Sequence, residues 1–254
     1  MSKKECHMIP DEEKQCIWMT AGLISYKLCT RDYCCEDCVF DQVMRNEAAV
    51  AVGRNDMGVS LASDPVTGTL SQHIKGDLFY HQCHCWAKVE DQDEVRIGID
   101  GILAGLVSKI KAVALPLPGE PMSQGQCFAH VIQERHIVPL ISPLNGEISS
   151  VNKQLKQTPG LLHNDSWENG WLVTIKPGNL EHDLRTLMFG RKAIAWYQKR
   201  EREVIETSSA MLTAGGLGPT MPDGGERVVS LADSLTSEQY YQILESLSRS
   251  DDPA

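Results

Sequence analysis

The sequence predicts a mainly β fold with α-helices, and three observations point there. Between residues 79 and 175, short apolar runs recur at roughly 8–12-residue spacing with turn residues between them, the pattern of a barrel or sandwich. After residue 179 the pattern changes to a helical period, with Leu184, Leu187, Met188, Ile194 and Trp196 as packing residues and Gly190 as a bend or division. Ahead of both, six of the nine cysteines (Cys6, Cys16, Cys29, Cys34, Cys35, Cys38) crowd into the first 38 residues.

Taken in order, the predicted strands cover 79–90, 95–99, 113–117, 127–132, 137–141, 147–151 and 171–175. Each alternates Val, Ile, Leu or aromatic residues between Asp, Gly or Pro. Residues 207–254 open with Gly and Pro punctuation that reads as a flexible linker. An acidic tail follows, and inside it Thr236 and Gln239 have the spacing of a capping box. Tyr240, Ile243, Leu244 and Leu247 then share one helical face. A helix this short is marginal alone and needs a surface, either its own domain or a partner. The chain therefore divides into a cysteine-rich part with linker (1–78), a β-rich part ending in a helix (79–206) and the tail (207–254).

Composition excludes several classes of function. Lys and Arg total 24 against 34 Asp and Glu, a formal charge of −10. Nucleic-acid binding needs a basic face to displace counterions, so it is not expected. No run is long and apolar enough to span a membrane. The start, MSKKECHMIPDEEKQ, has no apolar stretch and reads as no export signal. The expected setting is cytoplasmic and reducing, where clustered thiols more often bind metal than form disulfides. No Ser/His/Asp order, phosphate-cradling glycine loop or paired-carboxylate motif stands out, so no catalytic residues are assigned.

Six short motifs stand in order between residues 79 and 190. They are His84-Cys85-Trp86; Val95-Arg96-Ile97-Gly98-Ile99; Ala114-Leu115-Pro116-Leu117-Pro118-Gly119; Ser142-Pro143-Leu144-Asn145-Gly146-Glu147-Ile148; Pro159-Gly160-Leu161-Leu162-His163-Asn164-Asp165; and Gly170-Trp171-Leu172. In spacing and type this series resembles the H protein of the glycine cleavage system. The resemblance implies a flattened β-barrel, the barrel-sandwich hybrid of lipoyl and biotinyl domains, followed by C-terminal helices. Gly119 and Gly146 are then expected at reversals with φ > 0. Trp86 and Trp171 are expected in the barrel interior.

One departure from the family bears on function. The family's lipoyl group sits on the Lys of E-S-V-K-A, eleven residues before the turn glycine. Eleven residues before Gly146 stands Arg135, and ten residues after Gly125 stands Arg135 again. A lipoyl amide needs an ε-amine that deprotonates and attacks an activated acyl group. A guanidinium, with a pKa above about 12, stays protonated and does not. No lipoate is expected there. The segment Glu134-Arg135-His136 instead puts an acid, a fixed cation and an imidazole on what should be an exposed hairpin, either a solvated loop or a recognition patch.

The cysteine cluster supplies the second chemical signal. Cys16, Cys29, Cys35 and Cys38 are candidate ligands for zinc or an iron–sulfur cluster, with Cys34 an alternative to Cys35 and the two-residue gap to Cys38 marking the firmest pair. Buried reduced thiols and a redox switch are the other readings. Cys6 and His7 could add a ligand. His81, Cys83, His84 and Cys85 form a third group, read chiefly as packing and surface residues and alternatively as a second metal site, with His81, Cys83 and Cys85 on one strand face and His84 on the other.

Together these observations point to a non-enzymatic, non-lipoylated adaptor with a cysteine-ligated metal, working with protein partners in a redox or signalling assembly. An iron–sulfur electron-transfer subunit and an H protein lipoylated on another lysine are the alternatives.

Overall fold

The computed structural model describes residues 14–21, 27–29, 31, 33–48, 74–91, 94–214 and 235–248. Two antiparallel sheets face each other across one apolar core, an arrangement of the barrel-sandwich type. Nine strands build them: β1 (Phe79–Tyr80), β2 (Cys85–Asp91), β3 (Glu94–Ile99), β4 (Ile110–Ala114), β5 (Pro121–Met122), β6 (Cys127–Gln133), β7 (Ile137–Ile141), β8 (Gly146–Val151) and β9 (Val173–Pro177). The larger sheet runs β1-β2-β3-β9-β8-β5 and the smaller β4-β6-β7, and no strand pairing closes them into one barrel among the described residues. Alternation decides which side chains enter: Ala129 and Val131 on β6, Val138 and Leu140 on β7, and Val95, Ile97 and Ile99 on β3 are all buried.

The helices, in chain order, are α1 (Ile17–Thr20), α2 (Val39–Ala48), α3 (Gly101–Leu106), α4 (Leu161–Asn164), α5 (Leu180–Asp183), α6 (Gly190–Ala214) and α7 (Ser237–Ser248). α2 fastens the cysteine-rich part to the β-rich core: Phe40 and Met44 are fully buried, and Phe40 packs at 6.2 Å from Phe79. α6 continues to Ala214, past residue 207 where the tail was expected to begin. Reciprocal bonds between Thr236 and Gln239 cap α7. Its C-terminal end is held by Arg200, which donates to the Ser246 carbonyl at 2.7 Å. Most of the expected linker, with Cys6 and His7, lies outside the described residues.

Several expectations are corrected. The run 79–90 is not one strand, because a turn at 81–84 divides it and puts His84 at φ 60°. The apolar stretch Gly101–Leu106, to which the sequence reading assigned no element, is a helix capped by Asp100, whose carboxylate accepts from Leu103 N at 2.9 Å. Gly119 has the expected positive φ, but Gly146 does not. Gly146 is small for another reason, since a Cβ there would lie 2.4 Å from the Lys176 carbonyl oxygen. Trp86 is buried, yet it faces away from the main core and joins Leu78, Tyr80, Met188 and Ala193, with Nε1 donating to Ser166 O. Trp171 is only half-buried and lies against the Arg96 guanidinium. Ile194 is exposed, while Ala193, Tyr197 and Val204 carry the buried face of α6.

The β2–β3 pairing sets Trp86 opposite Gly98, where a Cβ would come within 2.3 Å of the indole. Gly98→Ala should therefore cost about 1–3 kcal/mol by overpacking, read as a lower urea midpoint. An unchanged midpoint would show that the indole has room to shift.

Candidate functional site

The β6–β7 hairpin is built by register. Ile132 pairs with Ile137, and Gln133 N donates to His136 O at 2.8 Å, which leaves Glu134 and Arg135 at the tip. Both are exposed. Lys111, distant in sequence, reaches this tip through β4, its Nζ 3.7 Å from Glu134 Oε1.

His136 is not exposed, contrary to the sequence-based expectation. It is 6% accessible because α7 lies over it, with the Tyr240 ring at 4.5 Å and the Tyr241 ring edge-on at 5.1 Å. Beneath it, the Tyr240 hydroxyl donates to Gln133 Oε1 at 2.8 Å and lies 3.2 Å from Leu106 O. Gln133 Nε2 in turn donates to Ser108 O at 2.7 Å. Burial pushes the Tyr240 phenol up to about 12, which keeps it a donor. Burial, helped by the Arg135 charge, holds the His136 imidazole below its ordinary range, so it favours the neutral form. The apolar face of α7 was legible in the sequence; its destination was not.

The N-terminal cysteines are arranged by two local devices. Gln15 and Leu28 form an antiparallel bridge, and the flanking bonds Cys16 N to Lys27 O and Cys29 N to Lys14 O set Cys16 and Cys29 on adjacent strands. A 3-10 turn at Cys35–Asp37 then brings Cys38 N to Cys35 O at 3.0 Å. Tyr33 N donates to Cys29 Sγ at 3.1 Å. The Cys35 thiol is pushed up by burial, by the Asp41 carboxylate, and by the neighbouring sulfurs of Cys29, Cys38 and Cys16. Cys34 is exposed and absent from that set. Among the described residues no three His, Cys, Asp or Glu side chains converge as a metal-holding group.

The third group changes character in three dimensions. The turn at 81–84 brings His81 Nδ1 to 2.9 Å from Cys83 Sγ. Cys83 and Cys85 both lie against the Ile141 carbonyl, at 3.2 and 3.4 Å. His84 points the other way, its Nδ1 at 2.7 Å from Asp100 Oδ2 and its ring at 5.1 Å from Trp196. Sequence reasoning missed the His81–Cys83 contact because a strand was assumed through this segment.

Because the docked hairpin holds His136 with a lowered pKa, the undocked form takes up a proton first as the pH falls. Docking of α7 is therefore strongest above about pH 6.5 and weakens below it. In an NMR titration Tyr240→Ala should move the His136 midpoint upward, toward that of an open imidazole. No movement would show that α7 does not cover the ring.

The family profile described as glycine cleavage H-protein matches residues 78–200. A probable glycine cleavage system H protein of Thermococcus kodakarensis is 33% identical over 115 residues, 45% of this chain and 85% of the relative. Glycine cleavage system H protein 2 of Aquifex aeolicus is 30% identical over 134 residues, covering 52% of this chain and 81% of the relative. A crystal structure of the H protein from Mycobacterium marinum is 29% identical, covers 41% of this chain and 87% of that one, and superposes with a TM-score of 0.39. On the order of its motifs and this coverage of its relatives, the chain belongs to the glycine cleavage H-protein family.

Proposed function

We propose that this chain is an H-protein-type adaptor that works without a lipoyl arm. The observation that carries the reading is the hairpin tip, where the exposed residues are Glu134 and Arg135 and the flanking His136 is packed under the chain's own α7. A lipoyl group does not fit these residues, because the guanidinium offers no amine to acylate. What remains is a rigid scaffold presenting a charged tip and an attached cysteine-rich segment, suited to docking a protein partner in a redox or signalling assembly. No described helix is long and apolar enough to cross a membrane.

The cysteine-rich segment is proposed to hold one metal centre through Cys16, Cys29, Cys35 and Cys38. The Gln15–Leu28 bridge that sets Cys16 and Cys29 on neighbouring stretches of chain, and the 3-10 turn that joins Cys35 to Cys38, support that choice. Zinc would staple a segment that has little core of its own. Trp18, hydrogen-bonded to Asp41, and buried Phe40 could equally shield an iron–sulfur cluster, which would make the chain an electron carrier.

Two measurements test this reading. Incubated with a lipoate ligase, lipoate and ATP under conditions that modify a lipoyl-accepting H protein, this chain should keep its mass. A lipoyl adduct would overturn the proposal, and its mapping to Lys111 would assign the arm to the lysine beside the tip. Protein purified without oxygen should hold about one metal centre per chain that Cys35→Ser with Cys38→Ser removes. Colourless zinc protein would favour the adaptor, and brown protein with visible charge-transfer absorbance the electron carrier. Wild-type protein free of metal would refute the cysteine site.

A further inference from the structure

One reactive group is left unused by the tip and by the N-terminal cysteines. Cys83 stands in the turn before β2 and Cys85 begins that strand, and the left-handed His84 between them folds both thiols toward the Ile141 carbonyl. Cys83 Sγ and Cys85 Sγ lie 3.2 and 3.4 Å from that one oxygen, and His81 Nδ1 lies 2.9 Å from the Cys83 sulfur. The Cys83 amide also donates to His81 Nδ1, at 3.2 Å, which favours the tautomer able to take up the thiol proton there. Beside Cys83 opens a cavity of about 350 Å³, walled by Leu103, Val138, Pro139, Ile141, Tyr241 and Leu247. That is the size of a small-molecule site.

We propose that Cys83 and Cys85 form a redox-active dithiol, with Cys83 the nucleophile, Cys85 the resolving thiol, His81 the proton acceptor, and low-molecular-weight disulfides with an apolar body the substrate. The cavity sets the substrate class, since α7 forms one wall and the lining is mainly aliphatic and aromatic. Electrostatics agree with the division of labour. Burial opposes ionisation of Cys83, but the hydrogen bonds from Cys85 and His81 and the His81 charge outweigh it and lower that thiol. The Cys85 thiol is raised, first by its hydrogen bond to Cys83 and then by burial, so it stays protonated until needed. The other titratable groups around the pair are Asp100 with its partner His84, and Tyr241 and Glu245 on α7.

The exchange balances as follows. Cys83 gives its proton to His81 and attacks one substrate sulfur; the substrate S–S bond breaks, and the departing sulfur leaves with the electron pair and takes that proton. Cys85 then loses its proton to His81 and attacks Cys83 Sγ. The second half of the substrate leaves as a thiol with this proton, and a Cys83–Cys85 bond remains. Two protein thiols are oxidised and one disulfide is reduced to two thiols.

The test uses full-length reduced protein and 4,4′-dithiodipyridine, followed by acid quenching and tryptic mapping. The peptide 76–88 contains Cys83 and Cys85 and no other cysteine. It should become two hydrogens lighter, at a rate at least tenfold above that with oxidised glutathione. Cys85→Ser should stop at a single thiopyridyl adduct on Cys83, and His81→Gln should shift the pH midpoint of Cys83 alkylation upward. Two unreacted thiols or two separate adducts in the wild-type peptide would overturn the dithiol without reference to any variant. An equal rate with oxidised glutathione would overturn the apolar substrate, and an unchanged pH midpoint in His81→Gln would overturn the role of His81.

Discussion

The hydrogen bond from the Tyr240 hydroxyl to Gln133 Oε1 links the two ends of this structure. Gln133 is the last residue of the strand leading to the hairpin tip, and Tyr240 belongs to the final helix, 107 positions later. Both groups are buried, so each depends on the other: a lost partner would leave an amide or a phenol without water, at a cost of about 1–3 kcal/mol. The bond continues through Gln133 Nε2 to the Ser108 carbonyl, so α7, the hairpin and the segment after α3 form one connected network. Around it His136 stacks on Tyr240, and the hairpin that an H-type carrier would present for modification is partly roofed.

A second buried network fixes the opposite wall of the same cavity. Asp100 uses one carboxylate oxygen to cap α3 and the other to hold His84. That pair is 0% and 1% accessible, and it stabilises a backbone conformation at His84 that a non-glycine residue rarely adopts. The consequence is chemical. With His84 held by Asp100, Cys83 lines the cavity beneath α7 and Cys85 lies behind it against the same Ile141 carbonyl. A capping carboxylate and one left-handed histidine thus convert a stretch of strand into a place where two thiols and an imidazole meet.

The strands were legible wherever one face is buried, because alternation marks β3, β6 and β7 without ambiguity. The division of 79–90 was not, since nothing in His81-Gln82-Cys83-His84 announces a reversal of the kind that glycine or proline would. Gly101–Leu106 is buried on every side, so its apolar run carries no period to separate helix from strand. Gly146 could be read as important, but sequence offers no sign that its reason is the Lys176 carbonyl rather than its own φ. Arg135 could be placed at the tip by counting, and β-pairing puts it there. Its neighbours could not: Lys111 arrives from another strand, and His136 is covered by a helix beyond a 20-residue gap in the described chain.

The proposed function makes this an H-protein scaffold used for something other than carrying lipoate. In the reading proposed above, Arg135 stands where a carrier of this family would be acylated, α7 packs against His136 beside it, and the sulfur chemistry proposed for this chain belongs to the N-terminal segment and to the turn under the final helix. The most direct measurement is the intact mass of the protein isolated from its own cells, after metal removal and reduction. The account predicts the mass of the unmodified chain; a population heavier by one lipoyl group would contradict it.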